Sequence, residues 1–564
     1  MKKHITRLLF AALLLLALCI GASAAGTSGK CGPSAYWSFD SSTGTLTISG
    51  SGAMNDYEYG DYPWMDYRDS IQTIVIGDQI TQIGRYAFTG TACSTIKFGK
   101  NVRSIGERAF LECRNLNGDL TLPDSVQTIG AGAFQGCEKL SGDLTIPDSV
   151  VEIGEGAFRD CKNLNGTLTL GKNLRTIGKE AFSGCAFTGS LTIPEGVTEI
   201  ADSAFGAGIP LKKYGMFTGT LTLPSTLKTI GASAFSYADF SGELLIPDGV
   251  TSIGANAFEE CDGFGGTLSL PDSVKTVGEW AFYLCKGFTG LKLSAGLTKI
   301  EKLSFAHMYG LKTEVVIPEG VTEIGESAFQ CSHMPSVRFP STLKKIGKEA
   351  FYFSLNCKIA FPDGLEVIED EAFALCNVKS AVILPASIKS IGKKAFDSDW
   401  SYGKHNDIPL GAYFLGAAPQ LVGTGNANCS FPSDWTLNYL PGTSGWMGDT
   451  YEGYKIVPWD GETRWDNLYT DDFGYRDNKW NKIETSWSVN TDTGKITLTD
   501  DLNEGCAVAV SYDADGRVTG IGVLRTKTDS VRLNLQDTCR LFLLNASSAP
   551  RLNTPVTIND YLPT

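Results

Sequence analysis

The stretch SVQTIGAGAFQGC at residues 125–137 returns as SVVEIGEGAFRDC at residues 149–161, 24 positions later. The pattern I-G-x-x-A-F, with small variations, begins fourteen times along the chain. Its first residues are Ile83, Ile105, Ile129, Ile153, Ile177, Ile200, Ile230, Ile253, Val277, Ile300, Ile324, Ile346, Ile368 and Ile391. The interval is 22–24 residues, except for one of 30. An internal repeat therefore organises most of the chain.

Each copy carries the pattern of a strand, a turn and a second apolar segment. In Leu144-Thr145-Ile146 the apolar side chains alternate with threonine, as in a strand with one buried face. Pro147-Asp148 then ends the strand, because proline cannot donate to a strand ladder. The G-x-x-A-F-x-x-C segment predicts one or two helical turns. A period in the twenties indicates a leucine-rich repeat solenoid of short parallel strands plus short helical turns, in which stacked copies bury one another's core.

The repeated unit L-T-I-P-D-S-V-x-x-I-G-x-x-A-F-x-x-C resembles the BspA-type (Bacteroides surface protein A type) leucine-rich repeat of bacterial surface proteins. The segment from residue 31 to residue 84 also resembles the leader found before such repeats in gut Firmicutes. The resemblance covers residues 31–397 and implies adhesion, including adhesion to host matrix proteins and to other microbes. The chain departs from the family in the [LF]-x-G-x-L sequence before many strands, such as Leu140 to Leu144.

Five segments are predicted along the chain. Residues 1–24 read as a signal peptide, because Lys2, Lys3 and Arg7 precede an apolar run and the small residues 22–24. Residues 25–70 form an N-terminal β cap, in which residues 36–50 predict a hairpin. The solenoid spans residues 71–399, and a degenerate closing repeat or cap spans residues 400–464. Residues 465–564 predict a C-terminal β-rich domain, a small β-sandwich with a hairpin turn at 513–516.

The predicted signal peptide indicates export, and the charge narrows the classes of partner. A formal net charge of −14 argues against nucleic acid and anionic membranes as partners. After the signal peptide, no stretch is long and apolar enough to span a bilayer. We therefore expect a secreted or cell-surface protein, with no anchor motif in view.

The recurring cysteines allow three interpretations: a disulfide framework, a metal cluster, or one buried packing position. Ten of them follow the phenylalanine of their copy by two to six residues: Cys93, Cys113, Cys137, Cys161, Cys185, Cys261, Cys285, Cys331, Cys357 and Cys376. Cysteine side chains that lie parallel to one another, one in each copy, do not converge on a single zinc ion as tetrahedral ligands must. The favoured hypothesis is a small buried hydrophobe, and a disulfide between neighbours stays open.

No catalytic or metal-binding motif stands out from the repeat. His307, His333 and His405 have no ligand partner at helical spacing, and we expect solvated turn histidines. The aspartates after proline recur in register, as turn residues do. The chain is therefore predicted not to be an enzyme and to need no cofactor or metal. A glycosidase pair of carboxylates, close only in space, stays an alternative.

The solvent side of the strand ladder is the main candidate for partner binding, because solenoids often bind through such faces. Its predicted residues are Thr121, Thr145, Thr169, Thr192, Thr222, Leu245, Ser269, Lys292, Val316 and Arg338. The alternative is that threonine simply suits an exposed strand. The long repeat at 206–219 is a second candidate. Seven of ten tryptophans lie between Trp400 and Trp487, where they either cap the array or stack on sugars.

These observations predict an exported, non-enzymatic adhesion protein. Its repeat surface would face an extracellular protein or glycan on host or microbial cells. One alternative is a carbohydrate-binding or carbohydrate-active protein that works through its aromatic C-terminal region. Another alternative is an architectural component of the cell envelope.

Overall fold

The computed structural model describes residues 27–206, 216–355, 359–376, 382–397, 411–424 and 428–458, and the backbone of seven strands between residues 487 and 557. The chain divides into two compact units, residues 1–240 and 241–564. Each unit is described by itself below.

Unit 1 begins with antiparallel strands. These are β1 (Ser28–Lys30), β2 (Ser34–Asp40) and β3 (Thr45–Ala53). The predicted hairpin is present, with Trp37 opposite Ile48 and Phe39 opposite Leu46. All four side chains are buried, because alternation along each strand places them on one face. A 3-10 turn follows at Met65–Tyr67. The capping role of the hairpin stays a prediction.

The repeats of unit 1 form two ladders of very short parallel strands. The strands are β4 (Thr73–Ile76), β5 (Ile80–Ile83), β6 (Thr95–Lys97), β7 (Ser104–Ile105), β8 (Thr128–Ile129), β9 (Leu144–Thr145), β10 (Glu152–Ile153), β11 (Leu168–Thr169), β12 (Thr176–Ile177), β13 (Leu191–Thr192), β14 (Glu199–Ile200), β15 (Leu221–Thr222) and β16 (Thr229–Ile230). The first ladder uses the L-T-I segment, so that Thr145 lies opposite Thr169. The second uses the isoleucine of I-G-x-x-A-F, so that Ile153 lies opposite Ile177.

Unit 2 repeats the arrangement and ends in a longer sheet. Its repeat strands are β17 (Gly242–Leu245), β18 (Ser252–Ile253), β19 (Phe264–Ser269), β20 (Thr276–Val277), β21 (Gly290–Lys292), β22 (Lys299–Ile300), β23 (Val315–Val316), β24 (Glu323–Ile324), β25 (Val337–Arg338), β26 (Lys345–Ile346), β27 (Val367–Ile368), β28 (Val382–Leu384) and β29 (Ser390–Ile391). The longer sheet adds β30 (Gly411–Phe414), β31 (Thr436–Tyr439), β32 (Thr450–Tyr451) and β33 (Tyr454–Pro458). Strands β28, β30, β31 and β33 pair in parallel, and β32 pairs antiparallel with β33.

The C-terminal strands form two antiparallel sheets. The strands are β34 (Trp487–Asn490), β35 (Lys495–Leu498), β36 (Cys506–Tyr512), β37 (Val518–Leu524), β38 (Ser530–Arg532), β39 (Thr538–Leu544) and β40 (Val556–Thr557). Their orders are β34-β35-β38 and β37-β36-β39-β40. The predicted turn at 513–516 lies outside the described residues. A sandwich of the two sheets stays a prediction.

The predicted short helical turns are wrong, because the G-x-x-A-F-x-x-C segment folds as consecutive tight turns. The Ala133 N–H donates to Gly130 O three residues back (3.2 Å), whereas the Phe134 N–H donates to Ala157 O in the following copy (2.7 Å). An α-helix needs each of these N–H groups for a carbonyl four residues back. Gly132 also has a φ of 60°, in the left-handed region that interrupts a right-handed helix. Among the described residues of the repeats, none is helical.

The strand predicted at 120–122 is also not formed. Leu120 and Leu122 are buried as expected, but the backbone there belongs to no strand. The nearest pairing is an isolated bridge between Gly118 and Leu140. The side-chain alternation was therefore read correctly, although the ladder hydrogen bonds that define a strand are missing in this copy.

Stacked phenylalanines fill the core of each unit. In unit 1 the rings are Phe88, Phe110, Phe134, Phe158, Phe182, Phe205 and Phe235, with neighbouring centroids 5.1–5.6 Å apart. In unit 2 they are Phe258, Phe282, Phe305, Phe329, Phe351, Phe373, Phe396 and Phe431, at 5.2–5.7 Å. All are buried, so this one position of the repeat supplies a continuous apolar column within each unit.

The recurring cysteine is a buried packing position, and it is also a hydrogen-bond donor. Cys113, Cys137, Cys161 and Cys185 are buried free thiols. Each donates to the carbonyl oxygen of the phenylalanine in the preceding copy, as from Cys161 Sγ to Phe134 O (3.1 Å). The prediction of a packing role is confirmed for these four residues. The Phe134 carbonyl oxygen also accepts from the Cys137 N–H (3.2 Å), so the thiol supplies a second donor to a backbone oxygen in the core.

The prediction that Cys331 occupies the buried packing position is wrong. Cys331 is half-exposed, and the next residue, Ser332, takes the packing position. The Ser332 hydroxyl donates to Phe305 O at 2.7 Å, in the same way as the thiols. Ser332 follows Phe329 by three residues, which is the offset that the buried position requires. Cys357 lies outside the described residues.

Burial should make the packed thiols unreactive. It raises the pKa of Cys161 well above the usual value, so the reactive thiolate is scarce at neutral pH. We expect iodoacetamide to label the half-exposed Cys331 and Cys429 first in the native protein. Cys113, Cys137 and Cys161 should be labelled only after denaturant is added. Peptide mass spectrometry reads both states, and rapid native labelling of these three thiols would contradict the packing role.

Acid should weaken the contacts between copies. The exposed Asp148 carboxylate accepts hydrogen bonds from Lys172 and pairs with its ammonium group (2.7 Å), which lowers the pKa of Asp148. Asp143 accepts from the Thr167 N–H (2.7 Å), with the same effect on its pKa. A lowered carboxyl pKa stabilises the fold above the unfolded value of about 3.9, and the effect is lost as the pH falls through the folded value.

The denaturation midpoint should therefore decline as the pH falls from about 4 towards about 2. The double variant Asp143→Asn, Asp148→Asn should show a shallower decline in the same urea titrations. An identical pH profile in the variant would contradict this role of the two carboxylates.

Candidate functional site

Nine of the ten predicted partner-binding residues lie on the outer face of first-ladder strands, and Thr121 holds the equivalent exposed place in a copy where no strand forms. All are exposed, and we call them the strand-face column: Thr121, Thr145, Thr169, Thr192 and Thr222 in unit 1, and Leu245, Ser269, Lys292, Val316 and Arg338 in unit 2. Paired strands place equivalent side chains about 4.8 Å apart. Their exposure follows from the ladder, because each buried leucine or valine beside them turns inward. Their role in binding stays a prediction.

The part of the column in unit 1 is a row of hydroxyl groups. Thr192 lies opposite Thr222, as Thr145 lies opposite Thr169. Threonine suits an exposed strand, so a hydroxyl row alone identifies no ligand. This part of the column offers hydrogen-bonding groups without charge.

The part of the column in unit 2 differs in chemistry. Leu245 is 71% exposed and Val316 is 45% exposed, which is unusual for aliphatic residues in a ladder. Leu245 lies opposite Ser269, and Ser269 lies opposite Lys292. Within the described part of the chain, no carboxylate lies within salt-bridge distance of Lys292. This surface combines apolar contact area with a positive charge.

A second positive charge lies beside Val316. Val316 is opposite Arg338, whose guanidinium pairs with Glu314 at 2.9 Å. Both members of this pair are exposed, so the pair contributes little to stability and keeps its charges accessible. The unit 2 column thus offers two exposed apolar side chains and two cations, with Arg338 opposite Val316 and Lys292 two strands away from Leu245.

The other predicted candidates are placed only in part. Most of the long repeat, residues 207–215, lies outside the described residues, and Phe217 after it packs in the core. Trp435 and Trp446 are buried, and the Trp446 indole N–H donates to Gly416 O (3.1 Å). These two tryptophans pack rather than bind sugar. The tryptophans at 400, 459, 465 and 480, the side chain at 487 and the histidine at 405 lie outside the described residues.

The structure brings together aromatic residues that sequence reasoning treated singly. His307 lies in a turn but is half-buried rather than solvated, and His333 is exposed just after a turn. Both rings contact Tyr309, with centroids 5.5 and 5.4 Å away. The His307 ring also contacts Tyr283 (5.1 Å), and burial lowers the pKa of His307, so its imidazole is neutral at neutral pH. The 24-residue spacing from Tyr283 to His307 was the signal that could have revealed the contact.

The described residues show neither a metal cluster nor a membrane span. In that part of the chain, no three His, Cys, Asp or Glu side chains are grouped so as to hold an ion. None of its helices has the length and apolar character needed to cross a bilayer.

Comparison with known proteins identifies the repeats. The family model described as "BspA type Leucine rich repeat region (6 copies)" matches residues 62–142, 117–219, 141–264, 213–330 and 288–402, which together cover more than half of the chain. The chain belongs to this family. BspA-type proteins are bacterial cell-surface proteins, and a Firmicute origin stays a prediction.

Solved structures of bacterial leucine-rich repeat proteins are similar to this chain. A leucine-rich repeat protein from Bacteroides ovatus is 24% identical with a TM-score of 0.44, and the match covers 72% of this chain and 98% of that one. A leucine rich cell surface protein from Faecalibacterium prausnitzii is 27% identical with a TM-score of 0.36, over 57% and 91%. A protein from Eubacterium ventriosum is 22% identical with a TM-score of 0.39, over 68% and 98%. No curated protein sequence matches the chain.

Proposed function

We propose that the protein is exported and adheres to a protein on another cell, host or microbial, through the unit 2 part of the strand-face column. The exposure of Leu245 and Val316 carries this proposal. Membership of a bacterial surface family supports a binding role. The side chains of a parallel ladder are also held in place before any partner arrives, which reduces the ordering cost of binding.

The chemistry of the column favours a protein partner over a neutral sugar. Leu245 and Val316 offer aliphatic area, and aliphatic area is best covered by the apolar side chains of another protein. Lys292 and Arg338 add positive charge to the same column, which would favour acidic groups on the partner. The adhesion is non-enzymatic in this proposal, since the column contains no assembled nucleophile, acid or base.

Replacing the two exposed apolar residues should abolish adhesion. The double variant Leu245→Glu, Val316→Glu places charge where the partner would cover apolar area, and should lower cell binding at least about tenfold. Flow cytometry with fluorescently labelled full-length protein measures the binding curve on host and bacterial cells. The thermal melt should be unchanged, because both side chains are already exposed.

Val151→Glu is the matched control. Val151 is 42% exposed and lies outside the strand-face column, directly before β10. Its replacement should leave the binding curve unchanged. Unaltered cell binding by the double variant would contradict the proposal, and so would an equal loss in the control. Wild-type protein that binds no cells would favour the architectural role.

A further inference from the structure

A path of ring contacts runs along the turns of unit 2. We call its members the turn-edge aromatic cluster: Trp280, Tyr283, His307, Tyr309, His333 and Phe353. Successive centroids are 4.5, 5.1, 5.5, 5.4 and 5.2 Å apart, and the rings meet edge to face or tilted. The path crosses four consecutive copies of the repeat. It lies outside the strand-face column, since none of its members belongs to a strand.

Two of these rings occupy a position of the repeat whose backbone is left-handed, whichever residue a copy carries there. His307 and Phe353 follow the core phenylalanine by two residues, with φ values of 61° and 53°. Gly136 and Gly184 hold the same place in unit 1, with φ values of 72° and 73°. Glu112, Asp160 and Leu284 hold the same place in other copies, with φ values of 55°, 59° and 61°, so the left-handed conformation belongs to the repeat and only the ring is particular to these copies.

The cluster is accessible, and its tyrosine, tryptophan and phenylalanine rings carry no charge, although burial raises the pKa of Tyr283, and Glu260 and Glu259 lie near enough to add to that effect. Tyr309 is 40% exposed, His333 is exposed, and the other four members are half-buried. The nearby cation Lys286 pairs with Asp262 at 2.7 Å, and Lys302 pairs with Glu326 at 3.0 Å. The surface that remains consists of ring faces, ring edges, phenol hydroxyls and imidazole nitrogens.

One contact inside the cluster orients its polar atoms. His307 Nδ1 lies within hydrogen-bond distance of the Tyr309 hydroxyl. Such a contact fixes both rings relative to each other before a ligand binds, so less side-chain freedom is lost on binding. The second imidazole, that of His333, continues the path on the far side of Tyr309.

From these contacts we infer that the turn-edge aromatic cluster binds an uncharged oligosaccharide. The C–H faces of sugar rings pack on aromatic rings, and sugar hydroxyls bond to phenol and imidazole groups. The distance between neighbouring rings is about one sugar unit, so an extended oligosaccharide could contact successive copies of the repeat.

The test uses the full chain on a printed array of neutral plant and mucin-type oligosaccharides, followed by titration calorimetry with the strongest binder. Wild-type protein should bind at least one neutral glycan. The variants Tyr309→Ala and His333→Ala should each weaken it on the order of tenfold. Tyr59→Ala is the matched control, because Tyr59 is 65% exposed and contacts Tyr86 in unit 1. The control should bind as wild type does.

Three results would overturn the inference: no neutral glycan bound by the wild type, equal losses in Tyr59→Ala and Tyr309→Ala, or loss of cell-surface protein binding instead of glycan binding in Tyr309→Ala. The Leu245→Glu, Val316→Glu variant should keep its glycan affinity. Failure of the glycan site and failure of the proposed protein adhesion can therefore be told apart.

Discussion

Replacing Phe158 with alanine should lower the free energy of unfolding by about 3–5 kcal/mol. The ring is fully buried and stacks between Phe134 at 5.3 Å and Phe182 at 5.4 Å, with nearly parallel planes. Alanine would leave a cavity in the middle of the ring column. Both neighbours would lose a packing face, and the ladder hydrogen bonds around them limit how far the copies can close the gap.

Equilibrium urea denaturation followed by circular dichroism measures this change. Thr169→Ala is the matched control in the adjoining copy, because Thr169 is exposed and its truncation should change the stability by no more than about 0.5 kcal/mol. A loss below about 1 kcal/mol for Phe158→Ala would show that the ring column is not the core.

The variant Trp64→Ala should be similarly destabilising, at about 3–5 kcal/mol. Trp64 is fully buried and stacks on Phe88 at 5.4 Å, at the N-terminal end of the ring column in unit 1. Its indole N–H donates to Ala87 O at 3.0 Å, so alanine removes both the ring and the donor. The exposed end of the column would then admit water to Phe88.

Trp64→Phe separates the two contributions. Phenylalanine keeps a stacked ring but cannot donate to Ala87 O, so it should cost about 1 kcal/mol from the lost hydrogen bond. Urea denaturation of both variants gives the comparison. Equal stabilities of wild type and Trp64→Ala would contradict a sealing role for this residue.

The repeat sequence predicted the core well, because the period alone places equivalent residues on top of one another. Every isoleucine or valine that starts an I-G-x-x-A-F motif is buried, and so is the phenylalanine of each motif. The direction of the threonines followed from alternation with leucine. Side-chain burial follows from the local pattern of apolar and polar residues, and that pattern can be read directly from the sequence.

Backbone hydrogen bonding was less predictable. The spacing of Phe134 and Cys137 fits one face of a helix, but alternate N–H groups bond to the next copy instead. That choice depends on how closely copies stack, which no single repeat reveals. The second ladder was missed for the same reason, since two-residue strands such as β10 carry no alternation.

The features of the candidate site also divide into those that the sequence predicts and those that only the structure shows. Exposure of the strand-face column could be read from the repeat, whereas contacts between copies could not. The Tyr309 and His333 rings meet across a boundary between repeats, 24 positions apart in the chain. Contacts between residues of different copies depend on how the copies align when they stack, and this alignment is seen only in the structure.

The most direct test of the account is to locate the partner on the protein. A photo-crosslinking benzoylphenylalanine at position 245 or at control position 151 would be irradiated on cells that bind the full chain, and crosslinked products identified by mass spectrometry. If the protein adheres through the unit 2 part of the strand-face column, we expect a crosslinked surface protein from position 245 and none from position 151. Binding that persists with crosslinks only from position 151 would contradict it.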